Sequence, residues 1–126
     1  MSLFHQHLLI RCHVQNPPRA ESELNAWMLR LVQEVGMKVC LPPHSKYVDT
    51  PGNEGLTGNV GIETSHFAIH IWDDVMPALV QADLYSCKAF KSKTVRDMLN
   101  EFGLLDFEML VIDRNNKLTL SEYLKS

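Results

Sequence analysis

Within eight residues, "SHFAIHIW" (65–72), the chain carries a serine, two histidines and a tryptophan. A hydroxyl at Ser65, an imidazole at His70 and a thiol at Cys87 could together serve acyl chemistry. Taken alone the set is weak, because a chain with six histidines and three cysteines offers such combinations by chance. Two metal patterns fail. His66 and His70 would share one face of a helix and suit zinc. The alternation around them predicts a strand instead, along which they stand about 13 Å apart. His5 and His7 supply no third ligand at a useful spacing, so no metal is expected. "DRNNKLTLSE" opens like a calcium loop with Asp113 and Asn115, but it lacks the glycine at the sixth place and the acid at the twelfth. A polar turn is expected there.

The elements that must hold these groups follow from periodicity. "LFHQHLLIRCHV" predicts a strand, ended by "QNPPR", whose prolines cannot donate to a ladder. "AESELNAWMLRLVQEVG" predicts a helix, with Leu24, Trp27, Met28, Leu31 and Val35 at helical spacing and Gly36 as a cap. "MKVCL" predicts a short strand before a loop, "PPHSKYVDTPGNEG". "LTGNVGIET" and "SHFAIHIWDD" predict two extended segments with no clear turn between them. "ALVQADLYSC" predicts a further strand. "SKTVRDMLNEFG" predicts a second helix, "LLDFEMLVI" a last strand, and "KLTLSEYLKS" a tail without a clear period. The expected fold class is α+β: one domain over residues 1–126, a two-layer sandwich of an antiparallel-rich sheet with two helices packed on one face. The other face is left to bind something, most simply a second copy, which predicts a homodimer.

Composition narrows the function. The chain of 126 residues has a net charge of −3 and 45% hydrophobic residues. No basic face for nucleic acid is expected. No apolar run approaches the roughly 20 residues of a membrane span, and "MSLFHQHLLIRC" lacks a signal-peptide pattern. A cytoplasmic protein with reduced Cys12, Cys40 and Cys87 is expected.

The order of residues in "GLTGNVGIETSHFAIHIWDD…VQADLYSC" resembles the prokaryotic short-chain S-adenosylmethionine decarboxylases. The resemblance covers most of the chain and is strongest from Leu56 to Cys87. It implies a self-processing proenzyme of polyamine (spermidine) biosynthesis, a pyruvoyl-dependent carboxy-lyase. The Ser65 hydroxyl would attack the carbonyl of Thr64, the chain would split between 64 and 65, and Ser65 would become a pyruvoyl group, the cofactor. The substrate amine would form a Schiff base with it. By the same resemblance His70 moves the processing proton, Cys87 protonates the carbanion and Thr57 assists processing. Trp72, Asp74 and Tyr47 would bind the adenosyl substrate.

The chain departs from the family at four points, one of them a gap from Ser65 to Cys87 two residues longer than usual, centred on "DDVMP". The family usually has Glu-Ser-His, whereas here the order is Glu63-Thr64-Ser65-His66, and the branched Thr64 crowds the carbonyl that Ser65 must attack. Processing is therefore expected to be slow or absent. Arg11 stands where an acid is common, and the loop around Tyr47 differs in length. These departures keep two alternatives open: a pyruvoyl-dependent arginine or ornithine decarboxylase, and a non-cleaving homologue with a binding or regulatory role. Strand parity adds a constraint. Ser65 and His70 are an odd number of residues apart, so a regular strand points them to opposite faces.

Overall fold

The computed structural model describes residues 4–126; the expected strand start at Leu3 lies outside them. Seven strands run in the order β2-β3-β4-β5-β1-β6-β7 in one sheet. They are β1 (Gln6–Val14), β2 (Val39–Val48), β3 (Gly55–Ile62), β4 (Ser65–Trp72), β5 (Ala78–Ser86), β6 (Leu104–Asp113) and β7 (Thr119–Lys125). Every neighbouring pair is antiparallel. Helices α1 (Glu21–Glu34) and α2 (Ser92–Leu99) cover one face, and a short 3-10 turn extends α2 to Phe102. The two-layer α+β sandwich expected from the sequence is the observed fold.

Alternation decides which side chains meet the helices. Leu8, Ile10, Cys12 and Val14 of β1 and Val80, Ala82 and Leu84 of β5 point into the core with Trp27, Met28 and Leu31 of α1. Trp27 joins the two helices: its ring packs on Phe67 and Phe102, and its Nε1–H donates to the Met98 carbonyl at 3.1 Å. Gly58 lets α1 lie directly on β3, since a Cβ there would stand 2.9 Å from both Leu24 and Met28. That close packing fixes the facing of Thr57, the residue before it, toward the open side.

Three elements differ from expectation. β2 continues through Pro42 and Pro43 to Val48, where a loop was expected. It is the edge strand, so proline can sit where no partner needs its missing N–H, and the register shifts on either side of Leu41. The expected tail is the opposite edge strand, β7. The two extended segments around residue 63 are a hairpin, β3–β4, closed at Glu63 and Thr64.

Candidate active site

At one end of β4 the chain turns tightly. Thr64 has φ +60°, the left-handed region that a β-branched residue rarely occupies and that costs on the order of 1–3 kcal/mol. The Thr64 hydroxyl donates to the Glu63 carbonyl oxygen at 2.5 Å and also meets the sulfur of Cys87. Cys87 lies just past the end of β5, and its N–H donates to Ser65 Oγ at 3.2 Å. Strand pairing makes this meeting inevitable: His66 opposes Tyr85, so the residues before the one and after the other converge at the sheet's end. Cys87 is half-buried, unlike Cys12. Burial, followed by the Asp106 charge, pushes the Cys12 thiol up to about 12, which leaves it an inert core residue.

At the other end of β4, Thr57 opposes His70 across the β3–β4 ladder. Thr57 Oγ1 lies 2.5 Å from His70 Nδ1. His70 Nε2 is buried and without a hydrogen-bond partner. Burial lowers the His70 pKa below its ordinary value, opposed by the Asn53 backbone and the Asp73 charge. The ring is therefore neutral around pH 7 and able to accept a proton. Trp72 stands edge-on to it at 4.2 Å, and its Nε1–H donates to Asn53 Oδ1 at 3.1 Å. Thr57, His70, Gln81, Asp83 and His7 line a hollow of about 410 Å³ on the open face, within the size range of small-molecule sites.

Ser65 and His70 are not brought together within one chain. They are five residues apart along a regular strand, about 17 Å. Phe67, Ile69 and Ile71 occupy the buried side of β4 and His66, Ala68 and His70 the open side. Ser65 follows the first group by parity.

Of the expected substrate residues, Asp74 is exposed and Asp73, beside it, is the buried acid. The Tyr47 hydroxyl donates to Asp73 Oδ1 at 2.9 Å, and Arg19 Nη1 lies 3.4 Å from Asp73 Oδ2. That hydrogen bond is the main reason the Tyr47 pKa is raised, with burial and the Asp73 charge adding to it. Asp73 continues the odd-numbered buried set of β4, a parity that "IHIWDD" already carries.

One cluster was not anticipated. His7 of β1, His66 of β4 and Asp83 of β5 converge on the open face, with both histidine Nε2 atoms at 2.8 and 2.7 Å from the same carboxylate oxygen. The three could in principle hold a metal ion. Arg114 Nη1, however, lies 3.3 Å from His7 Nδ1. A guanidinium only donates, so Nδ1 accepts and the His7 proton sits on Nε2, already given to Asp83. A metal-binding histidine needs the reverse arrangement, with its second nitrogen donating outward. The cluster is a hydrogen-bonded charge network that extends to Tyr85, whose ring lies 4.2 Å under Arg114.

Fold and site together define an α+β sandwich with a hydroxyl–thiol contact at the turn before β4 and a half-buried histidine near that strand's other end. A family model for S-adenosylmethionine decarboxylase matches residues 7–115, and the chain belongs to that family. No curated protein matches it significantly. No helix among the described residues is long and apolar enough to cross a membrane.

Proposed function

We propose that the chain, as one domain, is a proenzyme that cuts itself at the 63–65 turn and then decarboxylates S-adenosylmethionine for polyamine synthesis. The observation that carries this proposal is the meeting of a hydroxyl, the carbonyl before it and the Cys87 thiol at a left-handed turn. Such a turn fits the making of an α-keto acyl group, because the group is built from the chain's own hydroxyl residue, Thr64 or Ser65, and needs no separate cradle. Once formed, that group supplies an electrophilic carbonyl for the substrate's amine and a sink for the electrons that carbon dioxide leaves behind. Cys87, beside the new terminus, delivers a proton to the substrate carbon. Thr57 holds His70 by Nδ1, so that a neutral imidazole can take and return a proton. Trp72 offers a flat ring for adenine, with Tyr47 and Asp73 behind it.

The distance between His70 and the turn requires a homodimer in this proposal. A second copy laid antiparallel on the open face would carry the His70 of one chain toward the turn of the other. The test is an intact-mass measurement on purified protein, followed by release of labelled carbon dioxide from carboxyl-labelled S-adenosylmethionine, arginine and ornithine in parallel. Two fragments and release from S-adenosylmethionine are expected. A single uncut species after long incubation would overturn the proposal, and release from arginine or ornithine alone would overturn the substrate.

A further inference from the structure

The turn carries two adjacent hydroxyls, and they are not equivalent. For a side-chain oxygen to attack the carbonyl before its own residue, Cβ must lie on the near side of the N–Cα bond. Because Cα is tetrahedral, an extended residue with negative φ carries Cβ on the far side, and a φ in the left-handed region swings it to the near side. Thr64, at φ +60°, is the non-glycine residue with positive φ among those described. Its hydroxyl is already at 2.5 Å from the Glu63 carbonyl oxygen. Ser65 begins β4, paired to Ile62 in regular register, and its oxygen is turned to the Cys87 amide. The acid before the hydroxyl, Glu63, also stands next to Thr64 rather than Ser65.

We propose that Thr64, not Ser65, is the self-processing residue, so that the chain cuts between Glu63 and Thr64 and the new terminus is a 2-oxobutanoyl group instead of a pyruvoyl group. This rests on the self-processing function proposed above and moves its site by one bond. Thr64 Oγ1 adds to the Glu63 carbonyl carbon, the C–N bond breaks, and the hydroxyl proton passes to the Thr64 nitrogen, leaving an ester. Loss of the Thr64 α-proton with departure of the Glu63 carboxylate breaks Cβ–Oγ1 and forms a Cα–Cβ double bond. The resulting enamine shifts to its imine, takes up one water and releases one ammonia. Glu63 is left with a free carboxylate and residue 64 with a ketone bearing an ethyl group. No oxidant or reductant is needed. Cys87 steadies the attacking hydroxyl, and Ser65 steadies Cys87 through its backbone, so Ser65 is a positioning residue.

Intact mass and fragment sequencing of the wild type, Ser65→Ala, Thr64→Gly and Thr64→Ser test this. The expected products are residues 1–63 and a blocked 64–126, from both the wild type and Ser65→Ala. Thr64→Gly suits the left-handed backbone without strain, so it folds, and it is expected to stay whole. Thr64→Ser restores cutting at the same bond, faster than threonine because its carbon is less crowded, and leaves a pyruvoyl terminus one methylene lighter. Fragments 1–64 and 65–126, formed by Thr64→Gly and lost in Ser65→Ala, would overturn the assignment to Thr64 and leave the proposed function standing. A wild type that never cuts would overturn both.

Discussion

The two ends of β4 each set a threonine hydroxyl against a second polar group, in opposite backbone settings. At the Ser65 end, hydroxyl and thiol meet at a turn under backbone strain, outside the regular ladder. At the Trp72 end, hydroxyl and imidazole meet across the ladder in unstrained register. Strain suits a bond that has to break once. An unstrained cross-strand pair holds its imidazole in one orientation, which suits the proton transfer proposed for His70. The difference teaches that Thr57 and Thr64 are distinguished by backbone and not by side chain.

Four measurements break or sharpen that comparison, the largest effect first. Cys87→Ala is expected to slow chain cutting without abolishing it and to lower decarboxylation by about 10²–10⁴-fold, the usual weight of a general acid; carbon dioxide release by the cut variant reads it. Thr64→Gly is expected to stabilise the uncut protein by about 1 kcal/mol, raising the urea midpoint, since the strain of a branched residue at positive φ is relieved. Thr57→Val is expected to cost about 0.5–1.5 kcal/mol, one net hydrogen bond, and to leave the cut site unchanged. A changed cut site in that variant would show that the two ends are not independent within a protomer.

The smallest effect is in the pH dependence. The folded-state pKa of His70 lies below its unfolded value, so between the two values the unfolded chain binds more protons and stability rises with pH. The stability from keeping this ring neutral is complete above the ordinary histidine range and is lost as pH falls through the folded pKa. The wild-type melting temperature is therefore expected to fall more between pH 7 and mildly acid pH than that of His70→Gln. Equal slopes in the two proteins would count against a buried neutral imidazole.

Much of this was legible in the sequence because periodicity is a local property. Helix α1 announced itself through Leu24, Trp27, Met28 and Leu31, β4 through alternation, and β5 through its short length between turn residues. The β3–β4 turn was not legible, because a left-handed position usually advertises itself with glycine or asparagine and here it holds Thr64. The prolines of β2 argue against a strand unless the strand is known to be an edge, and edge position depends on the sheet order. The Thr57–His70 pair and the approach of Thr64 to Cys87 follow from register, which the spacing of motifs only suggested. The His7–His66–Asp83 cluster draws on three strands brought together by the placement of β1 beside β5, and no local pattern carries it. Asp73 could have been preferred to Asp74 by parity alone.

The order of the strands has a consequence for the proposed cut. A cut at the β3–β4 turn assigns β1, β2, β3 and α1 to one piece and β4 to β7 with α2 to the other. Yet β1, from the first piece, lies between β5 and β6 of the second and pairs with both along its length. The two pieces are therefore interwoven rather than laid side by side. Neither could leave without tearing out the middle of the sheet, so a severed molecule would hold together on dilution under native conditions. Once unfolded, however, it would have to reassemble from two separate chains, and its refolding would become a second-order process that slows as the solution is diluted.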